Sequence, residues 1–223
     1  MKPADNPDID YKDFVRAGYD SCAEAYEQAR EREACPELDL IMSCLKDGAR
    51  ILDIGCGAGI PISRILARRF SVVGVDISGE MIKRARANVP RAELLQSDIM
   101  AMDFLPSCFD AIVCFYALFH LPREEHPELF RRIHTWLKPG GYLLATVAVH
   151  NEAPYTEDDF FGVSMYWSNY GLEEYQEILR ETGFTLLHTT TLGHGYARTH
   201  ETREEAHPLV FAQKKLNKTG QAE

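Results

Sequence analysis

The stretch Arg50–Pro61 reads RILDIGCGAGIP, and its reading decides the fold. Ile51, Leu52 and Ile54 make a short apolar run that carries one carboxylate, Asp53. Three alternate glycines, Gly55, Gly57 and Gly59, end the run, and Pro61 opens a helical pattern. Strand, glycine turn and helix in that order form a ligand cradle, because a residue without Cβ takes positive φ and lets a ligand lie against the main chain. The helix N-terminus just beyond adds a partial positive field.

The spacing narrows the ligand. In a dinucleotide fingerprint the third glycine follows the second by three residues, and a pyrophosphate sits on the helix N-terminus. Here the third follows after two, and Asp53 stands two before the first. Its charge repels a pyrophosphate and favours a ligand carrying an ammonium or sulfonium group. This D-x-G-x-G-x-G stretch resembles the first motif of the class I S-adenosylmethionine-dependent methyltransferases, and the Ile60-Pro61 pair is common in their small-molecule branch (type 11/25-like). The resemblance implies that Asp53, Gly55, Cys56 and Gly57 surround the cofactor.

Further signals follow in order. Ser71–Asp76 (SVVGVD) is a near-continuous apolar run of the kind a doubly covered parallel strand needs. It ends in Asp76, 17 residues beyond Gly59, where a second strand delivers a carboxylate to two ribose hydroxyls. Dehydrogenases place an acid there too, so only the glycine loop separates the two classes. Ser78 caps a helix; the resemblance puts Ile77 and Met81 beside the adenosine. A third strand, Ala92–Gln96, leads to Ser97, Asp98 and Ile99, and in the methyltransferases the matching Asp accepts the adenine amino group while the next residue covers the ring. A fourth strand, Phe109–Phe115, runs into YALFHLP, where the resemblance sets Phe115 and Tyr116 beside the methionine end. A helix over 124–137 and a Pro-Gly turn then open a fifth strand within 138–148.

Before the cradle, Ser21 and Glu24 read as a capping box, opening a helix that Pro36 ends. Pro36 starts a second helix with Leu38, Ile41, Met42 and Leu45 on one face. Tyr19, Asp20, Ala23 and Tyr26 match a Y-D-x-x-A-x-x-Y segment that, in families resembling this one, folds over the cofactor. After the fifth strand, residues 150–170 read as a long aromatic loop, and a loop of that length in a compact domain is usually functional. Its His150, Tyr155, Tyr166, Trp167 and Tyr170 are the expected acceptor-side wall. A helix on Leu172, Tyr175 and Leu179, stopped by Gly183, precedes two alternating strands at 184–192 and 207–215.

The expected organisation is a poorly ordered 1–12, a helical cap over 13–49, a methyltransferase domain over 50–216 and a polar tail, 217–223. The expected fold is α/β and Rossmann-like: a seven-stranded mixed sheet with helices on both faces and the last strand antiparallel.

Composition sets limits. The chain has 223 residues and 45% hydrophobic content, enough for one buried core. The 34 acidic against 24 basic residues give a formal charge of -10, which opposes binding to phosphate backbones, so no nucleic-acid partner is expected. No apolar run approaches the roughly 20 residues of a spanning helix, and MKPADNPDID holds no apolar signal core. A cytoplasmic protein without a membrane partner is expected. The six cysteines include no C-x-x-C pair and read as reduced core residues. His188, His194, His200 and His207 lack tight ligand spacing, so no metal is expected.

Methyl transfer from a sulfonium is an in-line displacement that needs alignment, exclusion of water and, where a proton must leave, one base. His120, after the fourth strand, is the candidate. Amino-directed nucleic-acid and glutamine methyltransferases carry [DN]-P-P-[YFW] at that point, but this chain has CFYA; Cys114 follows Val113 rather than a proline, which disfavours a cytosine C5 enzyme. An oxygen, nitrogen or sulfur atom of a small molecule remains. Glu157, Asp158 and Asp159 beside Phe160 and Phe161 favour a cationic or aromatic acceptor. A methyltransferase acting on tRNA or protein, and a non-catalytic cofactor-binding subunit, are the alternatives; the oligomeric state stays open.

Overall fold

The computed structural model describes residues 10–192 and 207–216. Helix α1, Tyr11–Arg30, starts ten residues before the expected Ser21 cap, with the Asp10 side chain accepting from Lys12 N as the N-cap. Ser21 Oγ turns back and donates to Ala17 O at 2.8 Å, a bond available inside a helix, so the S-x-x-E pattern is internal. Tyr11 and Lys12, expected to be poorly ordered, form its first turn. Gly18 in mid-helix costs propensity, yet a Cβ there would lie 2.9 Å from Met165 Cε, so the glycine admits a close neighbour.

After the short α2, Leu38–Met42, the chain alternates strand and helix: β1 Arg50–Ile54, α3 Ile62–Leu66, β2 Ser71–Asp76, α4 Gly79–Asn88, β3 Glu93–Gln96 and β4 Phe109–Cys114. Then come α5 His126–Trp136, β5 Leu137–Thr146, β6 Glu152–Phe160, β7 Val163–Asn169, α6 Leu172–Glu181, β8 Phe184–Leu192 and β9 His207–Lys214. Seven strands form one sheet in the order β3-β2-β1-β4-β5-β9-β8. β1 to β5 are parallel, while β9 runs antiparallel to both β5 and β8. Strand order reverses between β1 and β4, the switch point beyond whose carboxyl ends open α/β sheets bind ligands.

Alternation along each strand fills both faces. Leu52, Ile112 and Leu143 pack with Leu129, Phe130 and Trp136 of α5 and Tyr175 of α6. Ile51, Val113 and Leu144 pack with Leu38 and Ile41 of α2 and Leu66 of α3. α3 is five residues long, so its dipole is weaker than the expected full helix and the cradle's backbone carries the site.

Residues 150–170 are not a loop. β6 and β7 form a separate two-stranded antiparallel hairpin, with Tyr155 opposite Trp167 and Phe160 opposite Val163. Phe161 (φ 51°) and Gly162 (φ 82°) occupy its two-residue turn, both left-handed, as a type I′ turn demands. Phenylalanine is costly there, by about 1–3 kcal/mol. The Phe161 ring stands 5.5 Å from that of Tyr26 and 5.0 Å from that of Phe160, which supplies compensating contact.

Candidate active site

A cleft of about 720 Å3, open mouth included, lies along the carboxyl ends of β1 to β4. Gly55, Gly57, Asp76 and Ile77 line one part, and Ser97, Asp98 and Ile99 the next. Phe115, Tyr116 and His120 close the far side, and Tyr19 and Tyr26 of α1 stand over it. Gly55 adopts φ +67°, and a Cβ there would fall 2.2 Å from Ala117 Cβ, so no side chain fits. Asp76 is held by two backbone donors, Gly57 N to Oδ2 at 2.8 Å and Ser78 N to Oδ1 at 2.9 Å. Burial nevertheless pushes its pKa up to about 6 against those two bonds.

Three expected cofactor residues do not line the cleft. Asp53 is 1% exposed, accepts from Ser63 Oγ at 2.6 Å, and is pushed by burial to about 7. Cys56 packs on Ile82, Ala85 and Leu94, and Met81 on Ala23, Ala58 and Ile60. All three sit beneath the cradle, Asp53 turned inward from β1, Cys56 from the glycine turn and Met81 from α4.

His120 is buried and carries two bonds. Its Nδ1 lies 2.9 Å from the backbone oxygen of Tyr166 in β7, and its Nε2 lies 2.7 Å from Tyr19 Oη. Burial lowers its pKa to about 4, so the ring is neutral. A carbonyl only accepts, so the single proton sits on Nδ1 and the Tyr19 hydroxyl donates to Nε2. Sequence spacing does not show this pair, because α1 and the turn after β4 meet only in the fold, with a hairpin strand supplying the carbonyl that orients the ring.

None of the five expected acceptor-side residues lines the cleft. Tyr166 contributes its backbone oxygen to His120, while its ring stands 5.4 Å from that of Tyr11. Trp167 backs His120, ring centroids 4.5 Å apart, with its indole N–H buried and without a hydrogen bond. Tyr170 packs on His126 and Tyr175, and His150 and Tyr155 are exposed. The hairpin therefore supports the site from behind. Tyr11, Lys12, Val15, Ala117 and Leu121 line the cleft and were not expected. Tyr11, Val15, Tyr19 and Tyr26 recur at helical spacing, a stripe visible once the helix is carried back to Asp10.

A methyltransferase-domain family model matches residues 51–141. Phosphoethanolamine N-methyltransferase 3 of Arabidopsis thaliana is 32% identical over 149 residues, 63% of this chain and 29% of that protein. A structure described as an S-adenosylmethionine-dependent methyltransferase from Methanosarcina mazei superposes with TM-score 0.70 at 21% identity, covering 82% of this chain and 99% of that one. In sequence over residues 51–141, and in fold, the chain is similar to the class I S-adenosylmethionine-dependent methyltransferases. A further fold match, the 1,6-didemethyltoxoflavin-N1-methyltransferase of Burkholderia thailandensis, has TM-score 0.67 at 19% identity over 96% of this chain and 91% of that one. The chain spans 29% to 35% of the length of the curated relatives it matches first.

The cleft fits S-adenosylmethionine, the cofactor of the proteins it resembles. The cradle excludes side chains at Gly55. Two carboxylates, Asp76 and Asp98, line it for hydroxyl and amino donors. The Asp76 carboxyl, its pKa raised by burial, gains from a cationic ligand, which favours its ionised form. Among the described residues no group of three metal-ligating side chains occurs, and His194 and His200 lie outside them. No helix among the described residues is long and apolar enough to cross a membrane.

Proposed function

We propose that this protein is an S-adenosylmethionine-dependent methyltransferase that methylates an oxygen, nitrogen or sulfur atom of a small molecule by in-line displacement. The Tyr19–His120 pair, facing the glycine and carboxylate side of one cleft, carries the reading. In it Asp76 and Ile77 hold the ribose, Asp98 and Ile99 the adenine, and Gly55, Phe115 and Tyr116 the methionine end. When bound, the cofactor supplies an electrophilic methyl carbon.

The chain's own residues move the proton. The acceptor's proton passes to Tyr19 Oη while the Tyr19 proton passes to His120 Nε2, leaving an imidazolium whose Nδ1–H still donates to Tyr166 O. Burial disfavours that imidazolium, so once the methylated product leaves, its Nε2 proton passes back to Tyr19 Oη as the phenol proton goes to solvent, and the neutral pair is restored. α1 and the rings of Phe160 and Phe161, packed on Tyr19 and Tyr26, exclude water from the acceptor side. Similar proteins, a phosphoethanolamine N-methyltransferase and a 1,6-didemethyltoxoflavin-N1-methyltransferase among them, support a small-molecule acceptor.

The test is incubation with methyl-labelled cofactor and a cell extract, followed by separation by size. Label in small metabolites is expected. Label in RNA or protein would transfer the reading to a macromolecular acceptor, and absence of label would leave a cofactor-binding subunit.

A further inference from the structure

Asp98 has both oxygens engaged. Met100 N donates to Oδ1 at 2.9 Å, and Lys12 Nζ donates to Oδ2 at 2.6 Å. The position at which an adenine amino group would bind Asp98 is therefore held by an ammonium from the first turn of α1. That ammonium has a second carboxylate within reach: Glu125 Oε2 lies 3.9 Å from Lys12 Nζ. Glu125 Oε2 is buried beside the Tyr11 hydroxyl and has no charged donor within hydrogen-bonding distance among the described residues. A carboxylate oxygen so placed gains a charge-assisted bond when an ammonium arrives. Lys12, Asp98 and Glu125 are similarly screened, with side chains 31%, 22% and 32% exposed, so moving the ammonium from one carboxylate to the other leaves its solvation almost unchanged.

We propose that Lys12 is a gating residue for the cofactor, exchanged from Asp98 to Glu125 as an adenine amino group takes Asp98 Oδ2. The proposal rests on the reading of Asp98 as the adenine partner. The exchange keeps every charge paired: Asp98 trades one donor for another, and Glu125, neighbour to the Tyr11 hydroxyl, gains a close charged donor. Because Lys12 and Tyr19 share α1, the move also links adenine recognition to the helix that carries the proton-handling phenol.

The test is calorimetric titration of the full chain with S-adenosylhomocysteine, in wild type, Glu125→Gln, Lys12→Met and the double variant. Glu125→Gln should weaken binding about 3- to 10-fold, since the displaced ammonium loses its charged receiver. Lys12→Met, which keeps the apolar stem, should bind as tightly as wild type or more so. In the Lys12→Met background Glu125→Gln should have no effect. An equal effect of Glu125→Gln in both backgrounds, or none in either, would overturn the exchange while leaving the cofactor reading intact. Wild-type protein that fails to bind S-adenosylhomocysteine would overturn both.

Discussion

The hydroxyl of Tyr19 lies 2.7 Å from Nε2 of His120, across 101 positions of sequence, and the Tyr166 carbonyl on Nδ1 fixes the direction of the proton between them. Tyr19→Phe removes that proton path and little else, since the ring stays packed against Tyr26 and Phe160. Turnover should fall about 100-fold or more, the usual scale of general acid–base loss, with S-adenosylhomocysteine affinity unchanged. His120→Gln should cost a similar factor, and the double variant little more than either single change. Additive losses in single-turnover assays would show that the two residues act separately.

Asp76 should carry cofactor affinity. Asp76→Asn keeps an acceptor for the Ser78 or Gly57 N–H but removes the charge, and S-adenosylhomocysteine binding should weaken by about 1.5–3 kcal/mol. Titration calorimetry reads this directly, and an unchanged dissociation constant would take Asp76 out of the site.

Buried groups oppose one another in acid. Asp53 and Asp76, raised by burial to about 7 and about 6, add stability at low pH that is lost as pH climbs through those values. His120 and His126, both lowered by burial to about 4, add stability above about 6.5 that is lost as pH falls through 4. Between pH 7 and 4 the two pairs offset each other. Asp53→Asn removes one stabilising carboxyl, so its melting temperature should fall more steeply on acidification than that of wild type. Parallel profiles would mean that Asp53 titrates as an ordinary carboxyl.

Phe161 sits at φ 51° in a turn that prefers asparagine. Phe161→Asn should leave stability unchanged or raise it by up to about 1 kcal/mol, while weakening acceptor affinity because the ring over Tyr26 is gone. A melting curve and an acceptor KM measured together decide it: a large loss of stability would mean that the ring, not the turn, dominates at this position.

The cofactor half was legible because backbone requirements write themselves into residue type. Glycine at Gly55 and acids at the ends of the second and third strands mark positions whatever the rest of the chain does. The other half depends on which distant elements meet. Ser21 and Glu24 imitate a cap inside a helix, and that hid the stripe from Tyr11 to Tyr26. Residues 150–170 alternate too weakly, with β-bulges within the pairing, to read as a hairpin. Trp167 and Tyr166 were expected to meet the acceptor on aromatic character alone, yet a strand sends neighbouring side chains to opposite faces, and what reaches His120 from Tyr166 is a backbone oxygen.

The order of the chain has a consequence for its synthesis. α1 leaves the ribosome first, yet the partners of its cleft-facing stripe come late: Tyr19 waits for His120, and Gly18 and Tyr11 wait for Met165 and Tyr166. By residue 81 the C-terminal half of α1 has its partners Ala58, Ile60 and Met81, but until β7 is complete at residue 169 the first half of the helix lacks the surface it packs on. Those long-range contacts close slowly, because loop entropy must be met before they form. The first half of α1 is thus the last part of the cleft wall to settle, and the part most exposed to chaperones and proteases while it does.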